Sequence, residues 1–307
     1  MQTEQSLRTP LTKYGHAHYE DNRKHTTTPT RDKQGTREML DLSAVTLLCV
    51  DTRSPELALW AMKRCMSHAH FANAVLMTEL AKVQTLSNDG IEYVQCPGMS
   101  STREYSEVML RGIAPYVSGT HVLIVQWDGF ILHPDLWDSS FLNYDYIGAV
   151  WPQLPKTPVG NGGFSLRSKK LLDALHHPDI IIEHPEDLCI CVTNRQKLEE
   201  DGLRFAPPEV AERFSVERTS WRYSFGFHGF FNFANALSEN ELREFIAKVP
   251  TSCCGGVDSY DLIDDLLRKG NTEAATALFR KCRWRRKSSM RFLTAWFREN
   301  MRFSGRY

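Results

Sequence analysis

The sequence predicts an α/β fold: an α/β/α sandwich on a mainly parallel central sheet, followed by a helical carboxyl-terminal extension. Three observations carry that expectation. Short apolar runs rich in β-branched residues alternate with helix-patterned stretches from residue 41 onward. The 307 residues are 42% hydrophobic and 24% charged, which excludes collagenous, coiled-coil and wholly disordered chains. Internal repeats and low-complexity runs are lacking, so one large α/β body is expected over residues 41–237.

Residues 1–40 are polar and rich in breakers, too poor in apolar side chains to offset the entropy of ordering, and read as a flexible tail. AVTLLCVD, residues 44–51, reads as a buried strand. Residues 55–66 follow as a helix, with Pro55 at its first position and apolar residues at three- and four-residue spacing. AVLMTE (74–79) and IEYVQC (91–96) read as strands, and residues 101–117 as a helix with a serine or threonine cap. HVLIVQWDGFI (121–131) reads as one continuous buried strand, and YDYIGAV (144–150) as another. NGGFSLRS (161–168) enters the helix KKLLDALH. Residues 185–202 read as one helix, opened by Pro185 and two acids and stopped by Gly202. The capping box of Ser238 and Glu241 opens the extension over 238–280, which ends in a helical pair. In such a sheet, ligands bind beyond the carboxyl ends of the strands.

The 37 basic and 37 acidic residues cancel, but unevenly. Residues 41–280 hold 21 Lys/Arg against 31 Asp/Glu, whereas residues 281–307 hold nine against one. An acidic body argues against nucleic acid as a partner. The basic tail interleaves its cations with Trp284, Phe292, Trp296 and Phe297, a pattern that suits either a membrane surface or the acidic body itself. Eight cysteines include no Cys-x-x-Cys pair, so neither zinc ligation nor a disulfide framework is expected. The amino terminus lacks a basic start followed by an apolar segment, and no run reaches about eighteen apolar residues. A cytoplasmic protein is expected, peripheral at the inner face of a membrane if the tail binds lipid.

Four stretches could carry chemistry. Asp128 ends an apolar strand, where a carboxylate suits a hard divalent cation bridged to a diphosphate; beside Gly129 it also fits an ordinary turn. In GNGGFSLRS three glycines flank Asn161, so the backbone can approach a ligand closely or simply turn tightly. Glu186 and Asp187 sit in a first helical turn, where acids favour the helix dipole but one could also act as a general base. His228 lies between Gly226 and Gly229 in FGFHGF, either structural or able to reach a metal or phosphate.

In this order the motifs resemble nucleotide-sugar glycosyltransferases of the GT-A fold. More closely, VDTR, HVLIVQWDGFI, YDYIGAVWP, VGNGGFSLRSKKLL, HPEDLCIC, RFAPPEVAERFSVE and FGFHGF resemble a domain-of-unknown-function family grouped with those enzymes, over residues 45–237. The resemblance implies a donor site formed by Asp51, Thr52, Arg53, Gln126, Asp128, Gly162 and Gly163. It implies a Mn²⁺ or Mg²⁺ cofactor held by Asp128 and His228, and a catalytic pair of Asp187, as base, and Glu186. The implied reaction is transfer of a sugar from a nucleotide sugar, UDP-linked by preference, to a hydroxyl of a glycan or lipid-linked acceptor, with inversion. Gln126 stands where the family's first metal-binding acid would be. That departure favours a rival, a catalytically silent nucleotide-sugar or glycan-binding module. A sugar nucleotidyltransferase ranks below both, because no Gly-rich basic loop follows the first strand.

Overall fold

A computed structural model describes residues 39–282, together with Met290 and Thr294. The tails expected from the sequence fall almost wholly outside the described residues. The chain runs through β1 (Leu40–Val50), α1 (Pro55–Met66), β2 (Ala69–Thr78), β3 (Glu92–Gln95), α2 (Thr102–Glu107), β4 (His121–Val125) and β5 (Gly129–Ile131). It continues through β6 (Tyr146–Ile147), β7 (Phe164–Ser168), α3 (Lys169–Ala174), α4 (Glu186–Leu188), α5 (Arg195–Glu200), α6 (Pro208–Phe214), β8 (Ser215–Val216) and β9 (Gly226–His228). Four helices close the described chain: α7 (Phe233–Ala236), α8 (Glu239–Lys248), α9 (Val257–Arg268) and α10 (Thr272–Lys281).

The fold is α/β with a mostly parallel central sheet in the order β3-β2-β1-β4-β7-β6. The first four strands are mutually parallel, and β7 runs antiparallel to both β4 and β6. A second sheet, β5-β9-β8, has three strands. Alternation along β1 divides the core. Leu47 and Cys49 join the cluster under α1, the small sheet and the carboxyl-terminal helices, whereas Leu48 and Val50 join the opposite cluster with Met109, Ile113 and Leu172. Both faces are therefore covered, which is why the strands read as unbroken apolar runs rather than alternating ones. All eight cysteines are free thiols, seven of them buried. No helix among the described residues is long and apolar enough to cross a membrane.

The helix expected over residues 101–117 is α2 followed by a π-helical turn over Val108–Gly112 and a 3₁₀ turn over Ala114–Tyr116, and the strand expected over residues 144–150 is the short β6. Two further differences bear on function. The single strand expected over residues 121–131 is two. β4 leaves the central sheet after pairing Val125 with Phe164, the Gly129 N–H closes a turn on the Gln126 carbonyl at 3.0 Å, and β5 then pairs Gly129 with His228 in the small sheet. An apolar run cannot reveal such a switch, because it serves both buried sheets equally. The helix expected over residues 185–202 is also interrupted, by a π-helical turn over Cys189–Thr193 and by Asn194. The Asn194 amide donates to the carbonyls of Ile181 and Cys189 and accepts from the Ile181 N–H, so it satisfies the broken end and ties it to the preceding loop. Gly202 stops the second segment as expected, at φ 79°, with Leu203 N–H returning to the Leu198 carbonyl.

The small sheet is fastened to the rest by aromatic rings. Phe233 lies 4.8 Å from Phe245 of α8, 5.2 Å from Phe230 and 6.0 Å from both Trp60 of α1 and Phe227 of β9. A fully buried ring touching four elements leaves a large cavity when removed. Phe233→Ala is expected to lower unfolding free energy by about 3–5 kcal/mol in a denaturant titration; a loss below about 1 kcal/mol would show that the junction does not depend on it.

Candidate functional site

The chain's passage between the two sheets places Asp128 at their junction. Its Oδ2 accepts from the Phe230 N–H at 3.1 Å, and its carbonyl accepts from the Gly229 N–H at 2.9 Å, so the loop after β9 is clamped onto it. Its Oδ1 is buried, accepts no hydrogen bond among the described residues, and lies 3.4 Å from His228 Nε2. His228 is held on both nitrogens: Nδ1 donates to Glu217 at 3.0 Å and Nε2 to the Gln126 side-chain oxygen at 3.1 Å. Gln126 in turn donates its amide to the Tyr105 hydroxyl at 2.8 Å. Burial opposes charge on His228, but Glu217 and Asp128 outweigh it and hold the imidazole protonated well above its usual range. Burial likewise pushes the Asp128 carboxyl up, yet His228 and the Phe230 N–H leave it below the usual carboxylate range.

The glycines of the 160–163 loop are required by the side chains that press on them. A Cβ at Gly162 would stand 1.9 Å from Glu186 Oε1, and one at Gly163 would stand 2.1 Å from His228 Nε2. The loop thus runs between the histidine and the acidic pair, close to both. Asn161, at φ 68°, turns it, its side-chain oxygen accepting from the Gly163 N–H and its carbonyl from the Tyr146 hydroxyl.

Across the loop, Glu186 forms an ion pair with Arg167 at 3.1 Å, in which both side chains are buried. Arg167 also donates to Ser165 and lies over the Tyr146 ring, 5.4 Å from its centroid. The Glu186 carboxylate is therefore engaged in holding the start of α4. Its neighbour Asp187 differs. Among the described residues, that half-buried carboxyl accepts only its local Leu188 N–H, at 2.8 Å. Burial, then the charge of Glu186, push its pKa up to about 6, against the smaller opposing effects of that N–H and Arg167. His184 anchors the segment from the other side, its ring nitrogens meeting Thr102 at 3.0 Å and Ser106 at 2.8 Å.

These groups open on one cleft of about 330 Å³. It gathers Gln126, Gly162, Gly163, Glu186, Asp187 and His228, with Asp128 directly behind the histidine. Asp51, Thr52 and Arg53 do not line it. They form the turn from β1 into α1, where Asp51 Oδ1 accepts from the N–H groups of Arg53 and Ser54 at 2.7 and 2.8 Å, and Thr52 Oγ1 accepts from Met99. The cleft also contains Trp151, Gln153, Glu217 and Arg218, which the sequence reading did not single out. Trp151 in a Pro-flanked loop was a detectable signal, whereas Glu217 and Arg218 sit in an unremarkable charged stretch.

A divalent cation would have Asp128 Oδ1 and His228 Nε2 as its protein donors, which lie 3.4 Å apart. Among the described residues no group of three or more His, Cys, Asp or Glu could hold a metal. A hard cation takes about six ligands, so these two donors, one of them an orphaned buried oxygen, suit a cation that brings most of its oxygen ligands from a bound diphosphate and water. It would have to displace the proton that Glu217 and Asp128 keep on His228.

Two outcomes follow from this geometry. The cost of charging Asp187 in the fold accrues between about pH 4, the value for a free carboxyl, and about 6. Asp187→Asn is therefore expected to raise the melting temperature at pH 8, with the advantage fading as pH falls through 6 toward 4; a difference constant over that range would contradict the shifted carboxyl. Gly163→Ala drives a methyl into His228 and is expected to cost about 1–3 kcal/mol in denaturant unfolding, whereas an unchanged midpoint would show that the loop has room.

A family model described as "Protein of unknown function (DUF5672)" matches residues 91–228, the stretch that spans Gln126, Gly162, Asp187 and His228. No curated protein matches the chain. Among solved structures, the bifunctional IspDF from Campylobacter jejuni aligns at 13% identity and a TM-score of 0.35, over 53% of this chain and 48% of that one. The apo-form glycosyltransferase GlyE of Streptococcus pneumoniae TIGR4 aligns at 12% identity and a TM-score of 0.35, over 67% of this chain and 51% of that one. A glycosyltransferase involved in the glycosylation of the major capsid of PBCV-1 aligns at 12% identity and a TM-score of 0.33, over 67% of this chain and 100% of that one. The match spans about half the length of the IspDF and GlyE chains.

Proposed function

We propose that the chain transfers a glycosyl group from a nucleotide-sugar donor, UDP-linked by preference, to a hydroxyl of a glycan or lipid-linked acceptor. The observation that carries this reading is the Asp187 carboxyl, raised to about 6 and facing the same cleft as His228, behind which Asp128 lies. A base with that pKa is largely ionised at neutral pH yet still takes up a proton readily. Asp187 removes the proton from the acceptor hydroxyl as its oxygen attacks the anomeric carbon. The bond from that carbon to the diphosphate oxygen breaks, and the electron pair leaves with the diphosphate. One direct displacement inverts the anomeric centre. His228, charged and fixed by Glu217, stands where it stabilises negative charge on the leaving group. A Mn²⁺ or Mg²⁺ ion that displaces the His228 proton would be held by Asp128 and His228 and would take over that neutralisation of the diphosphate. Glu186 positions the base through its pair with Arg167.

A second reading, a silent nucleotide-sugar-binding module, is favoured by Gln126. Its amide occupies the place of a metal-binding acid and is spent on His228 and Tyr105.

Turnover across a panel of nucleotide sugars, with and without Mn²⁺, separates the two. For the accepted donor, kcat/KM is expected to fall about tenfold per unit below pH 6, where Asp187 becomes protonated. Asp187→Asn is expected to lose a factor of about 10² to 10⁴ in kcat while still binding the donor. Donor binding without turnover in the wild-type chain would favour the silent module, and no binding of any donor would reject both.

A further inference from the structure

The cleft is acidic where a nucleotide sugar needs cations. Glu186, Asp187 and Glu217 line it and Asp128 lies behind His228. Among the described residues that line it, Arg218 is the only Arg or Lys. Its backbone is unusual: φ is 46°, the left-handed region that a long side chain seldom occupies. In extended chain, consecutive side chains point to opposite faces. The turn at Arg218, just past β8, instead brings both Glu217 and Arg218 to the cleft, the first holding His228 and the second supplying a guanidinium.

That guanidinium is pre-positioned. Its carbon lies 3.8 Å from the Phe231 ring centroid, one terminal nitrogen donates to Asp261 at 2.6 Å, and the other donates to Asp258. Both acids are on α9, three residues apart. Asp258 is half exposed and Arg218 about a third exposed, so these ion pairs are screened and contribute little to stability. Burial raises the Asp258 carboxyl above its usual range, with Arg218 opposing. A planar fork stacked on an aromatic ring and held by weak, exchangeable carboxylate partners suits a diphosphate, whose oxygens match it and carry more charge than either carboxylate.

We propose that Arg218 receives the diphosphate of the donor, exchanging its α9 carboxylate partners for phosphate oxygens. The proposal rests on the nucleotide-sugar reading of the cleft. It adds a phosphate-binding residue independent of Asp128 and His228, and it makes Asp258 and Asp261 positioning residues that compete with the ligand. Occupation of the cleft would then loosen α9 from the Glu217–Arg218 turn.

The test is calorimetric titration of the full chain with inorganic pyrophosphate and with UDP, for the wild type, Arg218→Met, Arg218→Lys and the double variant Asp258→Asn/Asp261→Asn, each with its melting temperature. Arg218→Met is expected to weaken both ligands by about tenfold to a hundredfold and to flatten the salt dependence of binding, with Arg218→Lys partly restoring affinity. The double variant keeps Arg218 and removes its competitors, so it is expected to bind pyrophosphate more tightly than the wild type. If Arg218 merely straps the turn to α9, both Arg218→Met and the double variant lose melting temperature and pyrophosphate affinity stays put, which overturns the proposal. A wild-type chain that binds neither pyrophosphate nor UDP would overturn the donor reading itself. Wild-type binding that Arg218→Met leaves intact would overturn the Arg218 assignment alone.

Discussion

A guanidinium with no access to water must be answered by its surroundings, and the pairing of Arg167 with Glu186 does so at the centre of this molecule. Taking two charges out of water costs several kcal/mol each before any attraction is regained. The cost is offset in part by the ion pair, by the hydrogen bond to Ser165 and by the Tyr146 ring, while Arg167 Nη1 is buried without a partner among the described residues. Removing either partner would strand the other, so β7 and the start of α4 are locked together. Everything on the acidic side of the cleft hangs on that lock. Gly162 passes beneath Glu186 with no room for a side chain, and Asp187 is held facing the cleft because its neighbour cannot turn.

The opposite wall is built on charge of the other sign. Glu217 and Asp128 flank His228, and their combined field overcomes the desolvation that would otherwise discharge the ring. Gln126 takes part as a neutral acceptor and hands its amide to Tyr105. A carboxylate at that position would add a third negative charge to a crowded site, so the amide is consistent with a histidine kept cationic. One wall thus carries the raised Asp187 carboxyl, and the other the charged His228. Proton removal on one side and charge stabilisation on the other are the two demands of a displacement with a diphosphate leaving group.

Much of this was legible in the sequence, for physical reasons that differ between elements. Pro55 and the apolar spacing of α1 placed that helix to the residue, and the box of Ser238 and Glu241 opened α8 as expected, because caps and periodicity are local signals. The strand run over residues 121–131 hid the passage between two sheets, since burial on either side selects the same residues. Asp128, Gly162, Gly163, Asp187 and His228 could be picked out by residue type and position. Glu217 and Arg218 could not. Their role arises from a left-handed turn and from acids on a helix some forty residues downstream, which no local pattern encodes. The resemblance implied Asp51 in the donor site, and its carboxylate caps the turn into α1 and does not line the cleft.

The claim on which the functional reading rests is that a nucleotide sugar occupies the space between these walls. Hydrogen exchange of the full chain with and without UDP tests it most directly, because it reports where the ligand acts as well as whether it binds. Slowed exchange is expected in the segments that line the cleft, around residues 126–129, 160–163, 185–189, 217–218 and 228, with the separate surface of Asp135, Asp138 and Arg213 unchanged. Protection at that separate surface alone, or none anywhere, would contradict the assignment.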